Sequence, residues 1–294
     1  MTTSPVSSFS QLPIEEVKKI HNEIIYTTVR IKSEKGTGSG TILYSGLNDN
    51  GNFETFVLTA NHVIDELCEV QNRWDPMLGR DVKMELRKKC EVDVFRWEKI
   101  SDATGAIAID ADIIARDKLM DVALLRLRTG KEISPTASMF SEDIDGITIS
   151  DKVIICGAAM GVPPIVTNGN VVLTNAEIDN YDYFLTTAPS IFGNSGGATF
   201  RRSRDTDIYE LIGMPARITV SIVGFSASPI THLGYSVRVD NILKFLRHNC
   251  YNFIFDPTHT IEQDNELRKT KIEMEKRRRE IKEGALYGGE DGEE

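Results

Sequence analysis

From residue 24 to residue 239 the chain is written as short β-branched and apolar runs broken by Gly, Pro, Asn and Asp. Runs of that kind suit strands, because alternate side chains can face a core while the breaking residues turn the chain. Doubly wound sheets need strands alternating with amphipathic helices of 10–15 residues, and no such alternation runs through this region. The prediction is an all-β fold of two packed antiparallel β-barrels, with a short N-terminal helix and C-terminal helices.

Taken in order, residues 13–21 read as a short helix, since Pro13, Glu15 and Glu16 suit a helix start. Residues 24–31 read as a strand, and Gly36-Thr37-Gly38-Ser39-Gly40 turns the chain into a second strand at 41–44. Strands follow at 53–59, 82–97, 106–115 and 122–127. The last of these is continuously apolar and so buried. Residues 128–150 are a polar connector between two halves. Further strands are expected at 152–157, 165–168, 169–173, 183–187, 209–218, 221–226 and 233–239. A helix at 240–248 then closes the core through Ile242, Leu243, Phe245 and Leu246. The resulting units are residues 1–23 (tail and short helix), 24–135 (first barrel), 136–257 (second barrel with closing helix) and 258–294 (charged helical tail).

In that tail Leu267, Met274 and Ile281 stand seven residues apart, which is half of a coiled-coil seam. It reads as a solvated helix, with docking on a partner or self-association as the alternative. The first 11 residues and the segment from Gly284 onward are expected to be disordered.

A net charge of −10 argues against general affinity for nucleic acid or anionic membrane. Cys68, Cys90, Cys156 and Cys250 are far apart with no CxxC spacing, so neither a metal site nor a disulfide framework is signalled. The start has no basic region followed by an apolar run, and no stretch of about 18 apolar residues could span a bilayer. A soluble, cytoplasmic chain is the expectation.

The segment Gly193-Asn194-Ser195-Gly196-Gly197 can present a hydroxyl on a tight turn and aim backbone N–H groups beside it. A serine hydroxyl is a poor nucleophile near neutral pH. It needs a base to take its proton and a third group to hold that base. His62, in Thr59-Ala60-Asn61-His62-Val63, sits at a strand end. Asp121, in Asp121-Val122-Ala123-Leu124-Leu125, sits immediately before a buried strand, where a carboxylate is costly unless paired.

The TAxH, D-[IV]-A-L-L and GNSGG motifs, in the order His62, Asp121, Ser195, resemble those of the trypsin-like serine proteases. The resemblance is greatest to the HtrA-like and related bacterial and viral branches. It runs over about residues 24–246 and includes Gly36-Thr37-Gly38-Ser39-Gly40-Thr41 and Leu233-Gly234-Tyr235-Ser236-Val237. It implies a chymotrypsin-like pair of barrels with the site in their cleft, and polypeptide substrates. His62 would be general base, Asp121 its orienting partner and Ser195 the nucleophile, with Gly193 and Ser195 N–H as oxyanion hole. No metal or cofactor is implied. Ala198-Thr199 departs from the usual residues after the second glycine, and too few residues follow the second barrel for a PDZ-like domain. Neutral Asn194 cannot ion-pair with a new N-terminal ammonium, so the enzyme should not need N-terminal processing.

For the side chain preceding the scissile bond, the resemblance points to Pro189, Ser190 and Ile191 and to the strand around Gly213-Met214-Pro215-Ala216, with Met214 and Ala216 making the backbone bonds, or in place of that strand to Gly224-Phe225-Ser226-Ala227 in a rival alignment. No carboxylate is among them, which favours cleavage after small or medium apolar residues. His232 and Ser190 acting together would instead favour Glu or Gln. Two other readings are a catalytically silent peptide-binding module on the same fold and an esterase. The esterase would need an acid and a histidine following the serine.

Overall fold

Among the described residues eight strands occupy the first half of the chain: β1 (Thr28–Ser33), β2 (Gly36–Leu47), β3 (Phe53–Thr59), β4 (Cys68–Asp75), β5 (Arg80–Arg87), β6 (Cys90–Lys99), β7 (Asp102–Asp117) and β8 (Val122–Leu127). Six of them close a barrel in the order β1-β2-β3-β8-β7-β6, while β4 and β5 pair only with each other, as a ribbon outside it. The computed structural model describes residues 11–33, 36–76, 79–140, 144–223 and 226–287, without the side chains of 222, 223, 226, 227 and 279–287. The Ser/Thr-rich start over residues 1–10, the acidic end after Tyr287, and Gly224 and Phe225 lie outside the described residues.

The second half contributes β9 (Ser138–Met139), β10 (Lys152–Gly157), β11 (Ile165–Ile178), β12 (Tyr181–Thr186), β13 (Ala198–Arg202), β14 (Tyr209–Val223) and β15 (Ser226–Arg238). Their order is β13-β10-β11-β12-β15-β14, and an added β13–β14 pairing closes this ring of six into a second barrel. The pair β9–β14 is parallel and lies outside the ring. This is the double-barrel fold that the strand pattern predicts.

Residues Val122, Ala123, Leu124 and Leu125 are all inaccessible to solvent, as their continuous apolar run requires. The helix α3 (Val239–His248) buries Ile242, Phe245 and Leu246. The chain then returns to the first barrel, where Phe253 meets Tyr44 and Phe56 with ring centroids 5.0 and 5.2 Å apart. These edge-on contacts cover the outer surface of β2 and β3, and each buried aromatic contributes about 1.5–3 kcal/mol.

Several element boundaries differ from the sequence reading. The helix α1 (Ile14–Ile20) continues as a π-helical turn over His21–Ile25, so β1 starts at Thr28. Ile24 and Ile25 are buried there, and their burial outweighs their β preference. The run 82–97 is two strands, β5 and β6, broken at Lys88-Lys89. Strands expected separately at 165–168 and 169–173 form one continuous β11. Gly169 lies within it because a Cβ there would stand 2.1 Å from the backbone nitrogen of Ala188. All four cysteines are free, and burial pushes the Cys90 and Cys156 thiols up to about 12.

The C-terminal helix α4 (Ile261–Tyr287) extends three residues past Gly284, into the segment expected to be disordered. Its first turns are anchored. Asp264 is fully buried and accepts bonds from the Phe253 N–H (2.9 Å), Asn252 Nδ2 (3.0 Å) and His259 Nδ1 (2.9 Å). Arg268 stacks over Tyr251 at 4.1 Å. A cut after Pro257 therefore removes stabilising contacts even though both barrels end before it. Replacing Asp264 by Ala should cost about 2–3 kcal/mol, since three donors lose a charged acceptor. Ending the chain at residue 276 should cost less than about 0.5 kcal/mol. Urea unfolding of the two variants checks this, and equal stabilities would contradict the anchoring role.

Candidate active site

The strand β3 ends at Thr59, Ala60 remains extended, and α2 (Asn61–Ile64) begins at once, which places His62 at the rim between the barrels. Asp121 stands just before β8 with φ 57°, an uncommon backbone state for a residue with a Cβ. It is buried, and both carboxylate oxygens face the histidine turn. The His62 ring Nδ1 is 2.8 Å from Asp121 Oδ2, and the His62 backbone N–H donates to Oδ1 at 2.9 Å. The Asn61 N–H donates to the Asp121 carbonyl at 3.2 Å. A carboxylate only accepts, so Nδ1 carries the hydrogen, and in the neutral tautomer this leaves the lone pair on Nε2.

The histidine turn is also tied from behind. Arg116, on β7, donates to Asp65 (2.6 Å), to Glu85 (2.6 Å) and to Asn61 Oδ1 (3.2 Å). Its guanidinium holds the Glu85 carboxyl down at about 2. The β4–β5 ribbon and the His62 turn thus share one cation.

The serine turn is built from glycine backbone states. Gly193 has φ 95° and Gly196 φ 85°, and an added Cβ at 193 would lie 2.7 Å from the Met160 nitrogen. The Phe192 carbonyl accepts from the Met160 N–H at 2.9 Å. Because C=O and N–H point oppositely across a trans peptide, that bond directs the Gly193 N–H away from Met160. The Gly196 N–H donates to the Pro215 carbonyl and the Gly197 N–H to the Asn194 carbonyl, each at 2.9 Å. From the first barrel, the Ser39 N–H donates to the Ser195 carbonyl at 2.9 Å. Asn194 is buried and neutral.

His62, Gly193 and Ser195 line a single cavity of about 430 Å³ together with Thr37, Val63 and Phe192. Among the described residues no hydrogen bond joins the Ser195 hydroxyl to His62, although both line the same cavity.

The residues proposed for side-chain recognition are placed unevenly. Ser190 is buried, its N–H donates to the Thr231 carbonyl at 2.6 Å, and a Cβ at Gly234 would lie 3.0 Å from the Ser190 Cβ. Ala216 is nearly buried, while Pro189 and His232 are exposed. His232 lies within β15 rather than on a loop, in an irregular stretch between Ile230 and Gly234. Met214 pairs with Val237 and its side chain is fully buried in the core.

Sequence reasoning passed over Ser39, Met160 and Phe192, whose part is played through backbone contacts and loop position. The one available signal was Ser39 lying between Gly38 and Gly40.

No curated protein sequence matches the chain. Among solved structures, Deg5 is similar over 79% of this chain and 94% of its own length, at 21% identity and a TM-score of 0.52. The HtrA-type protease AlgW, in a structure with a tripeptide, is similar over 79% of this chain and 62% of its own, at 18% identity and a TM-score of 0.53. At these identities the likeness is one of fold. The family model of the trypsin-like peptidase domain matches residues 38–213, more than half of the chain and strands of both barrels, and on that ground the chain belongs to the trypsin-like peptidases, a family of serine proteases.

Proposed function

We propose that the chain is a serine endopeptidase that works through an acyl-enzyme on Ser195. The observation that carries the reading is the 2.8 Å bond from His62 Nδ1 to buried Asp121, with His62 and Ser195 on one cavity wall. His62 Nε2 takes the Ser195 proton as Oγ attacks the scissile carbonyl carbon. The oxyanion that forms is held by the N–H groups of Gly193 and Ser195. His62 then gives the proton to the departing amine, and the acyl-enzyme remains. Water, deprotonated by the same nitrogen, releases the acyl group and restores Ser195. Asp121 holds the ring orientation and stabilises the transient imidazolium. Hydrolysis of an unstructured polypeptide by the purified chain, absent in Ser195→Ala, tests this; a folded chain that never cleaves would support a silent peptide-binding module.

Activity should not depend on N-terminal trimming, since neutral Asn194 offers no charge to an ammonium. Rates before and after mass-verified trimming should agree within about twofold. A large gain on trimming would overturn that point.

Cleavage after small or medium apolar residues is the proposed preference. Ser190 and Ala216 offer no carboxylate, and an unpaired lysine or arginine buried beside them would lose several kcal/mol, about 1.36 kcal/mol per tenfold in kcat/KM. A peptide library read by mass spectrometry should show this pattern. Dominant cleavage after Arg or Lys contradicts it, and dominant cleavage after Glu or Gln that disappears in His232→Ala would transfer the selection to His232.

A further inference from the structure

Ser39 belongs to β2 in the first barrel, is inaccessible to solvent, and meets the second barrel at three points, two on the serine turn and one at Ala158, just after β10. Its hydroxyl lies 2.8 Å from the Ala158 N–H and 2.5 Å from the Gly193 carbonyl. The amide can only donate and the carbonyl can only accept, so the single hydroxyl hydrogen points at Gly193. The backbone N–H of Ser39 takes the Ser195 carbonyl, and its own carbonyl accepts from Thr59 Oγ1 at 2.8 Å.

Gly193 has no Cβ to restrict it, so its two flanking peptide planes can rotate unless something outside holds them. Met160 holds the Phe192–Gly193 plane and Ser39 holds the Gly193–Asn194 plane. From this we infer that Ser39 is a positioning residue for the oxyanion-binding turn, supplied by one barrel to the loop of the other: by holding the Gly193 and Ser195 carbonyls it fixes where the Ser195 N–H stands relative to the Gly193 N–H that Met160 orients. The inference rests on the reading of Ser195 and Gly193 given above. Gly157 makes room for the arrangement, because a Cβ there would lie 2.8 Å from Ser39 Oγ and 2.9 Å from Asn194 Oδ1.

The test is steady-state kinetics of the full chain with Ser39→Ala and Ser39→Thr. Ser39→Ala should lower kcat about 10- to 100-fold with KM within about threefold, one step short of deleting an oxyanion donor outright. A peptide boronate, whose adduct needs the oxyanion contacts, should weaken by a similar factor, while a product-like peptide binds as before. Ser39→Thr keeps the hydroxyl and should recover most of kcat. Were Ser39→Ala not to fold, Ser39→Cys, similar in size with a weak donor, should fold and give an intermediate kcat. A kcat within twofold of wild type in the folded Ala or Cys variant overturns the inference, as does equal weakening of boronate and product peptide. A wild-type chain that neither hydrolyses peptide nor takes a fluorophosphonate label removes the protease reading, and this inference with it.

Discussion

Replacing Ser195 by Ala should lower kcat for peptide hydrolysis by about 10⁴-fold or more while the protein stays folded. His62→Ala and Asp121→Asn should each do comparable damage. Ser195→Ala removes the atom that forms the acyl bond, and His62→Ala removes the group that takes and returns its proton. In Asp121→Asn the geometry can survive, but the amide can donate to Nδ1 and turn the lone pair of His62 away from the serine. The three losses should not add, because the groups act as a unit: a double variant should be about as slow as the worse single one. Folding is preserved in Ser195→Ala because its contacts to Ser39 and the turn run through the main chain. Stopped assays on purified variants, with circular dichroism as the folding control, check this. Near-full activity in Asp121→Asn at pH 7 would remove Asp121 from its role and make Asp117 the next candidate.

A second large effect is expected at Gly196, through the fold rather than the chemistry. A Cβ there would lie 2.2 Å from the Ser39 carbonyl oxygen, 2.4 Å from Thr59 Oγ1 and 2.9 Å from the Ala60 nitrogen. Two of these neighbours are main chain, held in β2 and at the end of β3, and neither can swing aside. The backbone state, φ 85°, adds its own strain to any residue with a side chain. Backbone strain of this kind costs about 1–3 kcal/mol, and overpacking a filled site about as much again. Gly196→Ala should therefore lose about 3 kcal/mol or more, together with nearly all activity. Gly36→Ala is the control: nothing lies within 4 Å of a Cβ there, and its cost should stay below about 0.5 kcal/mol. Urea unfolding that places both variants near wild type would show that the barrels can separate at the serine turn.

The strands that were legible in the sequence are those whose burial follows their pattern. Val122–Leu127 reads as buried because every residue but Arg126 is buried. The ribbon strand Cys68–Asp75 was not legible: it stands off the barrel, most of its residues are exposed, and no core imposes a period on it. Ile24 and Ile25 misled for the opposite reason, since two β-branched residues are buried on a helical turn. Around the candidate site, His62 at a strand end and Asp121 before an apolar strand are found where the sequence put them, because residue type and flanking pattern mark both positions. Met214 was named from the resemblance alone, and its full burial in the core depends on how the second barrel closes, which no local pattern shows. Ser39 left almost no trace. Its hydroxyl's contacts are with main-chain atoms more than a hundred residues away, and such partners leave no local pattern.

Intact-mass spectrometry after treatment with a fluorophosphonate puts the central claim to the most direct trial. The wild-type chain should gain one adduct, mapped to Ser195 by peptide analysis, and both Ser195→Ala and His62→Ala should remain unmodified over the same interval. A folded wild-type chain that takes no label, or an adduct that persists in Ser195→Ala, would contradict the account.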